Sequence, residues 1–475
     1  MPTRGVMRRS MLRAAMIAGV VVATVMSTTG IDPTGSVGVG TARAEPPNLA
    51  EVPSQLPKDL DAVIPPPPIK KLQRIPERSR IAGATHELQE LREAIMPSPS
   101  GDRFFDHWPA GLAKRTPGEV LTTRRVTGTA QQLVFVPLRS ARQVKFRTVD
   151  ATGGPMFGTA TLLLPRKAWT GPGARPILIN NSPIVALGTK CTTGFTYAHG
   201  FTNNTNETDL IPPMTQLALD RGYAVIVPDH TGPRMAYAEP YVGAHVILDA
   251  VRAAARLDPT ELARGPIAMV GYSGGAIATH GAAKLAGSYA PDIADRFVGA
   301  AVGGVPANFR AIAGAMNANL ASGVFHSAIL GVARERPEVL GMANHLAGWL
   351  ATSELRNMCT DDMGNVGISH LPTQVLSNDP DPFHSPVADR LFEVTSMHDL
   401  AATMPLLIYQ GHYEWWVPAS QARALFHQQC ELGATAIYRE YPTEHVSGAF
   451  AGFPDTATWL DNRLRGIPAR DECRR

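Results

Sequence analysis

Long apolar runs are missing from most of this chain of 475 residues. Beyond a short N-terminal stretch, nothing approaches the roughly 18 uninterrupted apolar residues that a spanning helix needs, so the mature chain is expected to carry no transmembrane segment. An excess of one charge is missing too. The 44 basic and 41 acidic residues leave a formal charge of +3, and the arginines are scattered, which argues against nucleic acid as a partner. Cysteine is scarce: there are four, and no two form a C-x-x-C pair, so a zinc site is not expected. Proline and glycine are plentiful, at 40 and 43 residues. They suggest many turns and at least one extended tail. Apolar content of 44% supports a sizeable core. The length allows one large domain with an insertion, or two domains.

The first 44 residues read as a signal peptide. Arg4, Arg8, Arg9 and Arg13 make a basic start, Met16 to Met26 is apolar but short, and Ala42-Arg43-Ala44 suits cleavage. Arg8-Arg9 fits a twin-arginine signal as well as a basic Sec signal, and either predicts a secreted or cell-envelope protein. In an oxidising compartment, Cys191, Cys359, Cys430 and Cys473 can pair in three ways. The favoured pairing is Cys430–Cys473, which would pin the last helix and tail, with Cys191–Cys359.

Residues 45–100 read as a proline-rich arm, marked by Pro65 to Pro68, with helical spacing over Ala82–Ile95 that could dock on the body. Globular composition begins near residue 101. Gln143–Val149 and Met156–Leu164 predict an antiparallel hairpin turning at Gly153-Gly154. Strands then alternate with helices. Strands are expected at Pro176–Asn180, Tyr223–Val227, Ile267–Val270, Val298–Val302, Pro405–Tyr409 and Ala436–Tyr441. Helices are expected at Met214–Gly222, Ala244–Leu257, Gly275–Ala286, Ala419–Leu432 and Pro454–Leu464. This rhythm predicts an α/β fold, with a mostly parallel sheet covered by helices on both faces. Residues 306–395 break it with helical patterns and few strand signals. They read as a cap inserted between core segments 101–305 and 396–475.

The chemistry concentrates at "IAMVGYSGGAIATHGAAKLAGSYAP", Ile267 to Pro291. A strand runs into Gly271-Tyr272-Ser273-Gly274-Gly275, and a helix follows. That is the pattern of a nucleophile elbow, a tight turn that lifts Ser273 Oγ clear of the sheet. The bare G-x-S-x-G pattern is weak, arising by chance about 0.2 times in a chain this long; its strand and helix context strengthens it. A serine hydroxyl needs a base, and the base an orienting acid. Glu414 and His445 both follow predicted strands, on the rim that carries Ser273, in the order serine, acid, histidine. Other histidines fit less well. His427 lies mid-helix, His412 precedes the acid, and His280 lies within the elbow helix. His326, His345, His370, His384 and His398 scatter through the insertion without metal-ligand spacing. Asp379, Asp381 and Asp399 remain alternative acids. The oxyanion hole is expected from the amides of Gly274 and of Asn181, with Ser182 as the alternative to Asn181.

From about Asp102 onward the chain resembles the secretory lipase family. The resemblance rests on an ordered set: "DRFF", "PGEVLTTRRV", "VKFRTVDATG", "GTATLLLP", "RGYAVIVPDHTGP", "LDAVRAA", "GYSGG", "SYAPDI", "GAAVGGVPANF", "GHYEWWVP" and "WLDNRLRGIPARDEC". It implies an α/β-hydrolase core with a helical cap inserted after the sixth strand, and a triad of Ser273, Glu414 and His445. It also implies the disulfide pairing favoured above, no metal or organic cofactor, and a lipid or small ester substrate met at a lipid–water interface. The family acid is usually aspartate where this chain has Glu414, and its oxyanion stretch is usually H-G-T-like or E-D-S-like where this chain reads Asn180-Asn181-Ser182. The expected function is a secreted serine ester hydrolase, a lipase or carboxylesterase. The alternative is a non-catalytic or weakly active cell-envelope or binding protein on the same scaffold.

Overall fold

The computed structural model describes residues 55–183, 186–201 and 213–473, all within one unit, Leu49–Arg475. The signal-peptide reading and the first part of the arm lie outside the described residues.

Short runs of aliphatic residues ended by Gly, Pro or Asn become strands. There are nine among the described residues: β1 (Val120–Arg125), β2 (Leu138–Val149), β3 (Pro155–Pro165), β4 (Ile177–Asn181), β5 (Ala224–Pro228), β6 (Ile267–Tyr272), β7 (Phe297–Gly303), β8 (Leu406–Gly411) and β9 (Ala436–Tyr441). They form one sheet in the order β1-β2-β3-β5-β4-β6-β7-β8-β9. β1 to β3 and the β3–β5 pair are antiparallel. From β5 through β9 every pairing is parallel. The parallel strands are buried on both faces, so they read as continuous apolar runs rather than alternating ones. Their side chains still alternate in space. Ile177, Ile179, Ile267, Met269, Leu406 and Ile408 enter one core, shared with helices α1 (Pro240–Leu257), α2 (Gly274–Tyr289) and α3 (Ala419–Glu431). Leu178, Ala268, Val270 and Leu407 enter the other, under helices α4 (His445–Ala451) and α5 (Phe453–Leu464). This is the α/β arrangement expected, with helices on both faces.

Three expectations need correction. β1 carries no clear alternation and is only half-buried at the sheet edge, so its sequence gives little strand signal. Because it precedes the others, the insertion follows the seventh strand, not the sixth. His445 opens helix α4 rather than lying in a loop, because Glu444 caps that helix by accepting from the Val446 and Ser447 amides.

Between β7 and β8 the described chain forms helices and no strand of the sheet. The arm lies against this insertion. Trp349 Nε1 donates to Pro65 O at 2.7 Å, His345 Nδ1 lies 2.7 Å from Ile64 O, and the His345 amide donates to Asp61. Deeper in, Arg334 is fully buried and donates to the carbonyls of Ile95, Leu187, Arg234, Met235 and Arg356. Arg92 donates to the carbonyls of Ser79 and Arg334. Arg234 pairs with Asp150 and Glu335, all three buried. Buried guanidinium groups are tolerable only when so partnered. Both disulfides, Cys191–Cys359 and Cys430–Cys473, are formed. The first joins the chain after β4 to the insertion, and the second anchors the C-terminal tail beside β9.

The buried titratable groups set an acid limit on stability. Burial holds His230 and His245 down to about 4, and His280 well below its ordinary value. It pushes Asp229 up to about 6. The native histidines stay neutral, whereas in the unfolded chain they take up protons below about pH 6.5. Their contribution is therefore complete above pH 6.5 and lost as pH falls towards 4. Asp229 acts in the opposite sense over nearly the same window. Burial holds His326 down to about 4 as well, and urea unfolding is expected to show stability falling from pH 6.5 to 4.5, with a net uptake of protons on unfolding near pH 5. A flat profile over that window would mean these imidazoles are not kept neutral by the fold.

Candidate functional site

β6 and β7 are parallel neighbours, and β6 ends at the elbow. Ser273 has φ +51° and ψ −119°. A non-glycine residue adopts such a conformation only when its surroundings hold it there. Its amide donates to Gly303 O at 2.9 Å, and its carbonyl accepts from the Ala276 and Ile277 amides. The flanking glycines are required by close approach. A Cβ on Gly271 would lie 2.2 Å from Gly275 O, and one on Gly275 would lie 2.3 Å from Asn181 O. Tyr272 points the other way. Its hydroxyl, kept protonated by burial, donates to the His445 carbonyl.

Three residues far apart in the sequence meet on this rim. His445 Nε2 lies 2.9 Å from Ser273 Oγ, and His445 Nδ1 lies 2.6 Å from Glu414 Oε2. All three are buried. The longer arm of glutamate is accommodated by its own loop. Glu414 Oε1 accepts from the Trp416 amide at 2.9 Å and the Val417 amide at 3.1 Å, leaving Oε2 for the imidazole. The Trp416 ring stacks on His445, with centroids 5.0 Å apart and planes at 18°.

The remaining candidates have other partners. His412 pairs with Glu440. Asp381 pairs with His384, and Asp399 with His398. The Asp379 carboxylate accepts from the Asp381 amide. His280 is buried in α2.

The oxyanion candidates are more mixed. Among the described residues, the Gly274 amide donates to no backbone carbonyl, whereas the neighbouring Ser273 and Gly275 amides donate to Gly303 O and Pro183 O. Asn181 is not in a loop, as expected from the sequence, but is the last residue of β4, paired with Gly271. Its side-chain amide donates to Thr279 Oγ1 of α2 at 2.8 Å. Asn181, Ser182 and Pro183 pass directly over the elbow.

Sequence reasoning missed two supporting side chains. Trp416 stood within "GHYEWWVP" without a visible role. Thr279 gave no signal, because it acts through a contact that the fold alone creates.

Residues 199–472 match the secretory lipase family. A protein of Mycobacterium tuberculosis described as a probable inactive lipase is 30% identical, over 83% of this chain and 91% of that protein. Lipase 4 of Candida albicans is 28% identical, over 80% of this chain and 84% of the other. The secreted triacylglycerol lipase LIP5 of Malassezia globosa is 26% identical, over 79% and 81%. Among solved structures, lipase A of Candida antarctica superposes with a TM-score of 0.70 at 22% identity, covering 80% of this chain and 89% of that one. It shares the α/β-hydrolase fold. This chain belongs to the secretory lipase family and is by that membership of the carboxylic ester hydrolase class.

Proposed function

We propose that the protein is a secreted serine hydrolase that cleaves lipid esters through an acyl-enzyme intermediate. The observation that carries this reading is the contact chain from Ser273 through His445 to Glu414. His445 Nε2 takes the Ser273 proton as Oγ attacks the acyl carbonyl. Glu414 accepts the Nδ1 hydrogen, fixes the tautomer and stabilises the imidazolium. The amides of Gly274 and of Asn181 or Ser182 hold the oxyanion. The tetrahedral intermediate collapses as His445 returns the proton to the departing alcohol. Water, deprotonated by the same imidazole, then releases the acid.

A lipid substrate is favoured by the outer surface of the Glu414 loop and of helix α4. Tyr413 and Trp415, on either side of Glu414, are 66% and 44% exposed. Val446 and Phe450, one turn apart on α4 beside His445, are 56% and 50% exposed. Glu414 thus lies buried between two exposed aromatics, and exposed apolar side chains follow His445 on α4, leaving an apolar lip where acyl chains would arrive. Residues 306–395, read as a cap, would cover that approach. Export is part of the same reading, supported by the basic and then apolar leader and by two disulfides.

A non-catalytic role on this scaffold is the second reading. It is favoured by the description of the Mycobacterium tuberculosis relative as a probable inactive lipase.

A fluorophosphonate probe separates the two. Labelling of the wild type is expected, with complete loss in Ser273→Ala and a fall of about 10³ or more in rate for His445→Ala. Folded wild-type protein that resists the probe would establish the non-catalytic reading. Glu414→Gln is expected to lower kcat by roughly 10⁴: its oxygen stays with the Trp416 and Val417 amides, so its NH2 faces Nδ1, donates to it and leaves the imidazole hydrogen on Nε2, the wrong tautomer. Glu414→Asp should lose less, since its shorter arm keeps the charge but not all three contacts. Trp415→Ser with Phe450→Ser is expected to reduce turnover of emulsified triglyceride several-fold while leaving a soluble short-chain ester unaffected. Equal losses on both would remove the argument for a lipid substrate.

A further inference from the structure

We infer that His230 is a positioning residue for the oxyanion site, holding the end of β4 so that its amides face the nucleophile. The inference rests on the serine-hydrolase reading above and names a part that reading does not use.

Asp229 and His230 directly follow β5, which runs parallel to β4 and beside it. Both strands therefore deliver their ends to the same rim. From there the two adjacent side chains reach different points of the segment that leaves β4. His230 Nε2 lies 3.1 Å from Ser182 O. Asp229 accepts from the Gly194 amide at 2.8 Å and from Thr159 Oγ1 at 2.6 Å. A carbonyl can only accept, so Nε2 must carry the hydrogen, which selects one tautomer of a buried imidazole. Burial keeps that imidazole neutral, with its pKa held down to about 4.

The three residues of the strand end are gripped from separate directions. Asn181 is tied to α2 through Thr279, whose hydroxyl in turn donates to Gly275 O. Ser182 is held at its carbonyl by His230, and its hydroxyl contacts Thr193. Pro183 O accepts from the Gly275 amide at 3.1 Å. Proline has no N–H, so only the Asn181 and Ser182 amides of this stretch can serve an oxyanion. The carbonyl that His230 holds lies in the Ser182–Pro183 peptide plane, which carries no N–H; holding it fixes the backbone of Ser182 on its C-terminal side, where the proline also restricts that residue. The plane carrying the Ser182 amide is set through this same residue. Misplacing a reacting partner by about 1 Å can cost on the order of 10² in rate. Loss of one oxyanion donor costs a similar factor.

The test compares His230→Leu, which removes the donor at similar volume, with His230→Gln, which keeps an N–H at nearly the same reach. With a soluble p-nitrophenyl ester, His230→Leu is expected to lower kcat about tenfold to a hundredfold, with KM within about twofold. An alkyl boronic acid, which forms a tetrahedral anion on the serine, should bind more weakly by the same factor. His230→Gln should recover most of both losses. If His230→Leu does not fold, His230→Asn, whose amide is too short to reach Ser182, is read in its place with the same expected losses. Wild-type kcat in the folded variant would overturn the inference. So would a fall in kcat with unchanged boronate affinity, because that pattern reports fewer active molecules rather than a displaced donor. A wild-type protein that neither hydrolyses esters nor labels with fluorophosphonate would overturn the hydrolase reading and this inference together. Failure in the variants alone would leave the hydrolase reading intact.

Discussion

Everything at this rim depends on one serine being kept in a backbone conformation that it would not adopt in water. A non-glycine residue at φ +51° costs roughly 1–3 kcal/mol, and the surroundings must supply it. They do so through the parallel sheet. β6 delivers the residue, β7 takes its amide hydrogen, and β4 lies so close that only glycine fits at Gly275. The large two-sided core behind these strands is what makes the constraint affordable. A half-buried antiparallel sheet would lack neighbours on one face to hold so tight a turn.

The carboxylate position shows how a change of side-chain length can be absorbed locally. Glutamate carries one more methylene than the aspartate usual in this family. Here the extra length is folded back so that one oxygen accepts from the Trp416 and Val417 amides of its own loop. The same loop places Trp416 against the imidazole, so acid and ring support come from two neighbouring residues. The imidazole is thereby bounded on its edge by a carboxylate and on its face by an indole, and its own carbonyl is held by Tyr272. Rotation of that ring has little room.

Much of the architecture was legible because apolar runs in buried parallel strands are continuous and short, and helices between them are amphipathic. β9 matches its expected span, Ala436–Tyr441, and β6 differs only in running on to Tyr272. β1 was missed because a half-buried edge strand has no fully buried face to write a pattern. The start of α4 was missed because capping by Glu444 beside a histidine looks like a polar loop. At the site, Ser273, Glu414 and His445 could be ordered from strand ends alone, and the fold brings those three together. Asn181 was placed one residue too far along, since an asparagine pair after an apolar run reads as a turn while the ladder to Gly271 extends through it. His230 and Thr279 were beyond reach because their partners lie 48 and 98 residues away at Ser182 and Asn181.

The arm has a consequence for how the chain comes together. Its anchoring bonds join residues 242 to 284 positions apart, Arg92 to Arg334 and Asp61 to His345. The arm leaves the ribosome long before its seat exists, and closing so long a loop brings reward only once both ends are present. Arginine suits that wait. While the chain is open, water solvates the guanidinium fully, and the group sticks to nothing apolar. Arg92 can go inside with both its hydrogen bonds met only when the insertion supplies the Arg334 carbonyl beside that of Ser79.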